Sequence, residues 1–203
     1  MKNEFSDKSL KKKFDTRSLI LLALLTAIVI ILQLLGAFIR FGPFSISLVL
    51  MPIAVGSALL GILAGGWLGL VFGFIVLITG DAAIFIALNP FGAVFVVLAK
   101  GLLAGLAAGT IYKLLHKKSK TIAAITAAAI CPIVNTGIFI IGSYAFFLPT
   151  ITEWSIAAGA VSATAFIFLT LVGINFIIEL AVNLILSPTI IRLIQLGTKK
   201  ETA

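Results

Sequence analysis

Very few ionisable or amide side chains stand inside the long apolar runs of this 203-residue chain, and those few are the groups that could do chemistry. Lys100 falls about ten residues into the run Phe91 to Leu115. At ~1.5 Å per residue it sits near the middle of any helix built there. Asn175, Glu179 and Asn183 recur at intervals of four and share one helix face. Asn135 follows Cys131-Pro132-Ile-Val, where the proline removes a backbone hydrogen bond and frees a carbonyl on the preceding turn. A second polar patch, Thr79-Gly-Asp81 to Asn89-Pro-Phe-Gly92, leads into a helix N-terminus, where unpaired N–H groups and the helix dipole favour an anion. Such groups suit binding rather than bond-breaking: amides for hydroxyls and amides, a lysine or a helix N-terminus for a carboxylate. Each also has a plainer reading. Lys100 and Glu179 could form an ion pair that ties two helices, and the asparagines could be interhelical glue worth ~0.6 kcal/mol each. Asn89 could be a helix cap in ordinary turn chemistry.

The missing chemistry narrows the choice. No G-x-x-x-x-G-K-[ST] motif is present, so the chain does not itself hydrolyse ATP. The single histidine, His116, lies among lysines; no metal-ligand spacing and no Ser-His-acid set can be assembled. An enzyme is therefore not expected, nor a metal or cofactor. The lone Cys131 is read as a small packing residue. A formal charge of +8 could suggest nucleic acid, but the basic residues cluster at the ends of apolar runs, where they set membrane orientation.

The elements that must position these groups follow from hydropathy. The mean hydropathy is +1.25 and 61% of residues are apolar. A span needs ~20 apolar residues to cross ~30 Å of hydrocarbon, and its backbone must be satisfied internally. The expected fold is all-α, an integral membrane bundle of six transmembrane helices in one domain over residues 1–203. The spans are Ser18 to Ile39, Ile46 to Leu63, Gly65 to Gly80, Phe91 to Leu115, Thr121 to Phe147, and a last run within Ile156 to Ile191. Breaks are expected at Arg40 to Ser45, at Asp81 to Pro90, and at Pro149 to Trp154. The last run is either one long tilted helix or a helix preceded by a segment lying across the mouth of the bundle. Gly61, Gly65 and Gly66 are expected to form the tight turn between the second and third spans. Ser18 to Ile39 is too long for a signal-peptide core and lacks a small-residue cleavage site after it. The basic clusters at Lys2 to Arg17, Lys113 to Lys120 and Arg192 to Lys200 fall on one side of a six-span bundle. This puts the basic N-terminus (1–17) and the C-terminus (192–203) in the cytoplasm, with Arg40, Asp81, Glu153 and Trp154 outside. Trp67 begins the third span and could be an interfacial anchor or reach deeper. No repeated pair of broken helices is visible, which weighs against a self-sufficient secondary carrier or channel.

Ala23-Leu-Leu-Thr-Ala27 adds a strip of small residues four apart, which lets another helix approach closely. With the six spans, the size, the short turn between spans two and three and the pattern Lys100-Gly-Leu-Leu-Ala-Gly-Leu-Ala-Ala-Gly-Thr-Ile-Tyr112, the chain resembles the substrate-binding (S) component of an energy-coupling-factor vitamin transporter. The resemblance covers nearly the whole chain. It implies a bacterial plasma-membrane protein that binds a water-soluble vitamin from outside. It also implies a transmembrane coupling (T) subunit packed on Ala23 and Ala27, and two cytoplasmic ABC ATPases as partners. Within the family, Gly80-Asp81, Asn89-Pro90-Phe91-Gly92 and Cys131-Pro-Ile-Val-Asn135-Thr-Gly137 look most like the pantothenate type. Folate, riboflavin, a thiamin precursor and nicotinate are the alternatives. The expected ligand contacts are Asn135, Asn89, Asp81, Lys100, Trp67, Tyr144, Asn175 and Glu179, with Arg40 to Ser45 and Asp81 to Asn89 as lids.

Overall fold

The structure, a computed structural model, describes residues 16–36, 40–41, 44–45 and 48–199. Its helices are α1 (Thr16–Gly36), α2 (Leu50–Leu60), α3 (Ile62–Thr79), α4 (Ala83–Leu88), α5 (Pro90–Leu115), α6 (Lys120–Gly142), α7 (Leu148–Ala157), α8 (Ala163–Ala165) and α9 (Ile174–Lys199). Wide π-helical turns at Ser143–Phe147 and Phe166–Gly173 join α6 to α7 and α8 to α9. Between α1 and α2, Arg40–Phe41 pairs antiparallel with Phe44–Ser45. Lys2 to Lys13 and Lys200 lie outside the described residues, as does part of the Arg40 to Ser45 lid.

Five of the helical stretches among the described residues are long and apolar enough to cross a membrane. On α1 the exposed side chains include Leu19, Ile20, Leu24, Ile28, Ile31 and Leu35. An apolar surface of that extent is untenable in water and natural against lipid. The chain is a multi-pass membrane protein.

The expected second span is shorter than its sequence suggested. α2 has 11 residues, ~16 Å of helix at ~1.5 Å per residue. Leu50 and Pro52 to Ser57 are buried, so α2 lies within the bundle rather than along its lipid face. Gly61 alone separates it from α3, at φ +98°, a backbone conformation that L side chains rarely adopt. Gly65 and Gly66 are not part of that turn; they lie inside α3 and face α5.

That facing is the tightest packing in the protein. A Cβ on Gly69 would run into the Gly101 carbonyl, one on Gly105 into the Gly65 carbonyl, and one on Gly109 into the Ile62 backbone. The paired positions descend on α5 as they climb on α3, so the two helices are antiparallel and meet backbone to backbone. Ser57 of α2 joins this seam, its Oγ donating to the Ile53 and Gly105 carbonyls at 2.8 and 3.0 Å. Gly142 against Val96 and Gly92 against Phe146 likewise make α6 antiparallel to α5. α1 runs parallel to α3: Thr26 meets Trp67, and Gln33 meets Asp81 just beyond the end of α3. Arg17 and the Lys117–Lys118 turn therefore share one end of the bundle.

The break expected at Pro149 to Trp154 is helical instead. Pro149 falls in the first turn of α7, where its missing N–H costs nothing. The chain breaks later, at Ala158 to Ser162, where Gly159 has φ +67°. Likewise the Asp81 to Pro90 loop contains α4.

Replacing Gly69 with Val should cost at least ~2 kcal/mol through overpacking. Gly137→Ala, whose new methyl would meet nothing within 4 Å, should be neutral or gain up to ~1 kcal/mol. Thermal unfolding of the two variants in detergent checks both.

Candidate functional site

A cavity opens between α1, α3, α5, α6 and α9, beneath α4. About 680 Å³ of space free of protein atoms lies between these helices, open solvent included. Its polar wall consists of Gln33, Asp81, Lys100, Asn135, Thr136, Asn175 and Glu179, and its apolar wall includes Val97, Phe139, Val172 and Phe176.

Each polar group is placed by helix periodicity. Asn135 and Phe139 lie one turn apart on α6, and Asn175 and Glu179 one turn apart on α9. Lys100 immediately precedes Gly101, so the glycine seam that brings α5 onto α3 also sets the lysine beside Phe72. Its Nζ lies 5.7 Å from the Phe72 ring centre and 5.8 Å from that of Phe139, within cation–π range. Glu179 and Asp81 are its electrostatic partners. Asp81 follows the left-handed Gly80 that ends α3. Its carboxylate accepts from Gln33 Nε2 at 2.8 Å and from Thr79 Oγ at 3.3 Å.

Several buried acceptors in this group have no hydrogen-bond partner: Gln33 Oε1, Asn135 Oδ1 and Asn175 Oδ1, with Asn183 Oδ1 one turn below Glu179. Asn183 Nδ2 is committed to the Glu179 carbonyl at 2.8 Å. Buried polar atoms are almost always satisfied. A group of orphaned oxygens around one cavity therefore asks for a ligand or waters that bring donors.

An aromatic cluster adjoins the cavity. Phe85 of α4 meets Phe139 at 5.5 Å, Phe147 at 5.0 Å and Trp154 of α7 at 6.3 Å, centre to centre. A segment between α3 and α5 is thereby packed onto the α6–α7 region at one edge of the cavity.

Of the residues singled out in the sequence, Asp81, Lys100, Asn135, Asn175 and Glu179 come together here. The other three do not line this cavity. Asn89 caps α5, its Oδ1 accepting from the Gly92 N–H at 2.9 Å. Trp67 is half-exposed, its Nε1 donating to Thr26 Oγ at 3.3 Å. Tyr144 donates to Thr164 Oγ at 2.9 Å, tying the first π-helical turn to α8. Two residues were not anticipated. Gln33 is the only amide in the otherwise apolar first span, a signal of the same kind as Asn135. Phe85 gave no signal, because it stood in a segment read as a loop.

The family model of the ECF transporter substrate-specific component matches residues 17–191. The chain belongs to that family. Its members are transport subunits rather than enzymes: they bind vitamin-type substrates and work with T and ATPase subunits. A search of the curated proteins returned no match.

Lys100→Met should leave Asp81 and Glu179 without their shared cation and destabilise the protein by ~3 kcal/mol. The double variant Lys100→Met/Glu179→Gln should recover most of that loss, as read by thermal unfolding in detergent.

Proposed function

We infer that this S component binds pantothenate in the cavity beneath α4, from the outer side of the bacterial plasma membrane. The observation that carries the reading is the set of unpartnered buried oxygens on Gln33, Asn135 and Asn175 beside one lysine. Pantothenate complements that set, since its hydroxyls and amide N–H are donors and its carboxylate suits Lys100. Asn89, Trp67 and Tyr144 would then act indirectly, through the cap of α5 and the contacts to α1 and α8. Phe85 and α4, in the expected Asp81 to Asn89 lid, would close over the bound vitamin.

A second reading has its own support. The described cavity wall carries two carboxylates, Asp81 and Glu179, against one lysine, with Phe139 and Phe176 nearby. That balance favours a neutral or cationic aromatic vitamin such as a thiamin precursor. Binding of labelled pantothenate to the purified chain, with the other B vitamins as competitors, separates the two. Tight saturable binding is expected, and Asn135→Ala should weaken it ~10-fold or more, the cost of an unmade buried hydrogen bond. Displacement by a thiamin precursor, with no pantothenate binding, would move the substrate to the second reading.

The transport partners are a T subunit and two cytoplasmic ABC ATPases, with the T subunit docked on α1. Ala23 and Ala27 are exposed on that helix, as a partner strip must be. The lysine clusters that flank the bundle support a cytoplasmic location for both termini. Ala27→Trp should abolish co-purification with the T subunit and ATPases while leaving vitamin affinity within about twofold. Loss of vitamin binding in that variant would contradict this division between the Ala23–Ala27 strip and the cavity.

A further inference from the structure

A second concavity lies on the outer surface of the α5–α6 hairpin, and none of its lining residues belongs to the vitamin cavity. Leu106 and Thr110 of α5 and Ile130, Val134 and Ile138 of α6 form its walls. It is apolar throughout, because the one hydroxyl among these five, Thr110 Oγ, already donates to the Leu106 carbonyl at 2.8 Å. The lining runs from Leu103 to Ile111 on α5 and from Ile130 to Ile138 on α6, each ~12 Å of helix, along the direction in which an extended hydrocarbon chain would lie.

What distinguishes this groove from an ordinary lipid-facing surface is the end it leads to. Lys113 lies seven residues after Leu106, two helical turns on, and so continues the same face of α5. Beyond it the turn carries Lys117, Lys118 and Lys120, all exposed like Lys113. No carboxylate occurs anywhere between Asp81 and Glu153. Among the described residues, nothing pairs with these four lysines. Orienting a membrane protein requires cations at this end but does not require an apolar groove that leads to them.

We propose that the α5–α6 groove is a binding site for an anionic phospholipid, one acyl chain lying between Leu106 and Ile138 and the phosphate held by Lys113 and the lysines of the turn. Clusters of basic residues beside a membrane helix attract anionic lipid head groups, and the groove supplies the complementary site for the tail. The site rests on this hairpin alone and does not depend on which vitamin fills the cavity.

The test is native mass spectrometry of the full-length chain in detergent, titrated with phosphatidylglycerol or with phosphatidylcholine of the same acyl chains. Retention of phosphatidylglycerol over phosphatidylcholine is expected. Replacing Lys113, Lys117, Lys118 and Lys120 with glutamine should erase that preference, at about fivefold per lysine near the surface. Thr110→Phe, at an exposed position that tolerates bulk, should fill the groove and lower retention of either lipid. An unchanged melting temperature would show that each variant still folds. Equal retention of the two lipids by the unaltered chain, or retention undiminished by Thr110→Phe in folded protein, would overturn the proposal. Displacement of the lipid by the T subunit, with no lipid preference once that subunit is removed, would also overturn it and make the groove a protein interface.

Discussion

The backbone contact between α3 and α5 is the constraint on which the rest of the structure depends. In lipid there is no hydrophobic force to press helices together, so association relies on close van der Waals approach. Gly65 and Gly69 meeting Gly105 and Gly101 allow that approach where any side chain would block it. The seam fixes the rotation of α5 about its own axis, and Lys100 is the residue just before it. A rotation of one residue position, ~100°, would carry the lysine away from Phe72 and out of reach of Glu179. Ser57 of α2 is fastened to the same seam through Gly105, so the short buried helix takes its place from it as well.

The cavity is then the place where the bundle fails to close around its own polar groups. Charged and amide side chains at this depth are expensive, and the protein compensates only some of them. Asp81 is bonded to Gln33 and Thr79, and Lys100 lies between aromatic faces and carboxylates. The amide oxygens are left over. A wall whose acceptors find donors is more stable than one whose acceptors do not, so any molecule that brought donors to these oxygens would tie α1, α6 and α9 together. The π-helical turn at Phe166–Gly173 contributes Leu171 and Val172 to the same wall. Such turns are frequent at functional sites.

Much of this was legible in the sequence, because hydropathy and the cost of polar groups in lipid act locally. The long helices could be read from apolar runs, and Lys100, Asn135, Asn175 and Glu179 from their rarity within them. What was lost depended on tertiary partners. The length of α2 is set by its burial among other helices, which its apolar composition does not reveal. Pro149 reads as a breaker but begins a helix, since proline is neutral in a first turn. The glycines of α3 and α5 were visible as spacing, yet their role as a seam needs both helices at once. Gln33 could have been found by the rule that found Asn135, and Phe85 could not, because its importance lies in rings brought from α6 and α7.

α1 has two unlike faces. One exposes an apolar strip that runs from Leu19 and Ile20 to Leu35, and the other sends Gln33 into the cavity to hold Asp81. The helix is thus anchored to the cavity wall by a polar bond while most of its surface belongs to the surroundings. Sliding α1 along its axis would carry Gln33 away from Asp81. The Gln33–Asp81 bond is thus the stitch that joins a helix otherwise given over to its surroundings to the polar interior of the bundle.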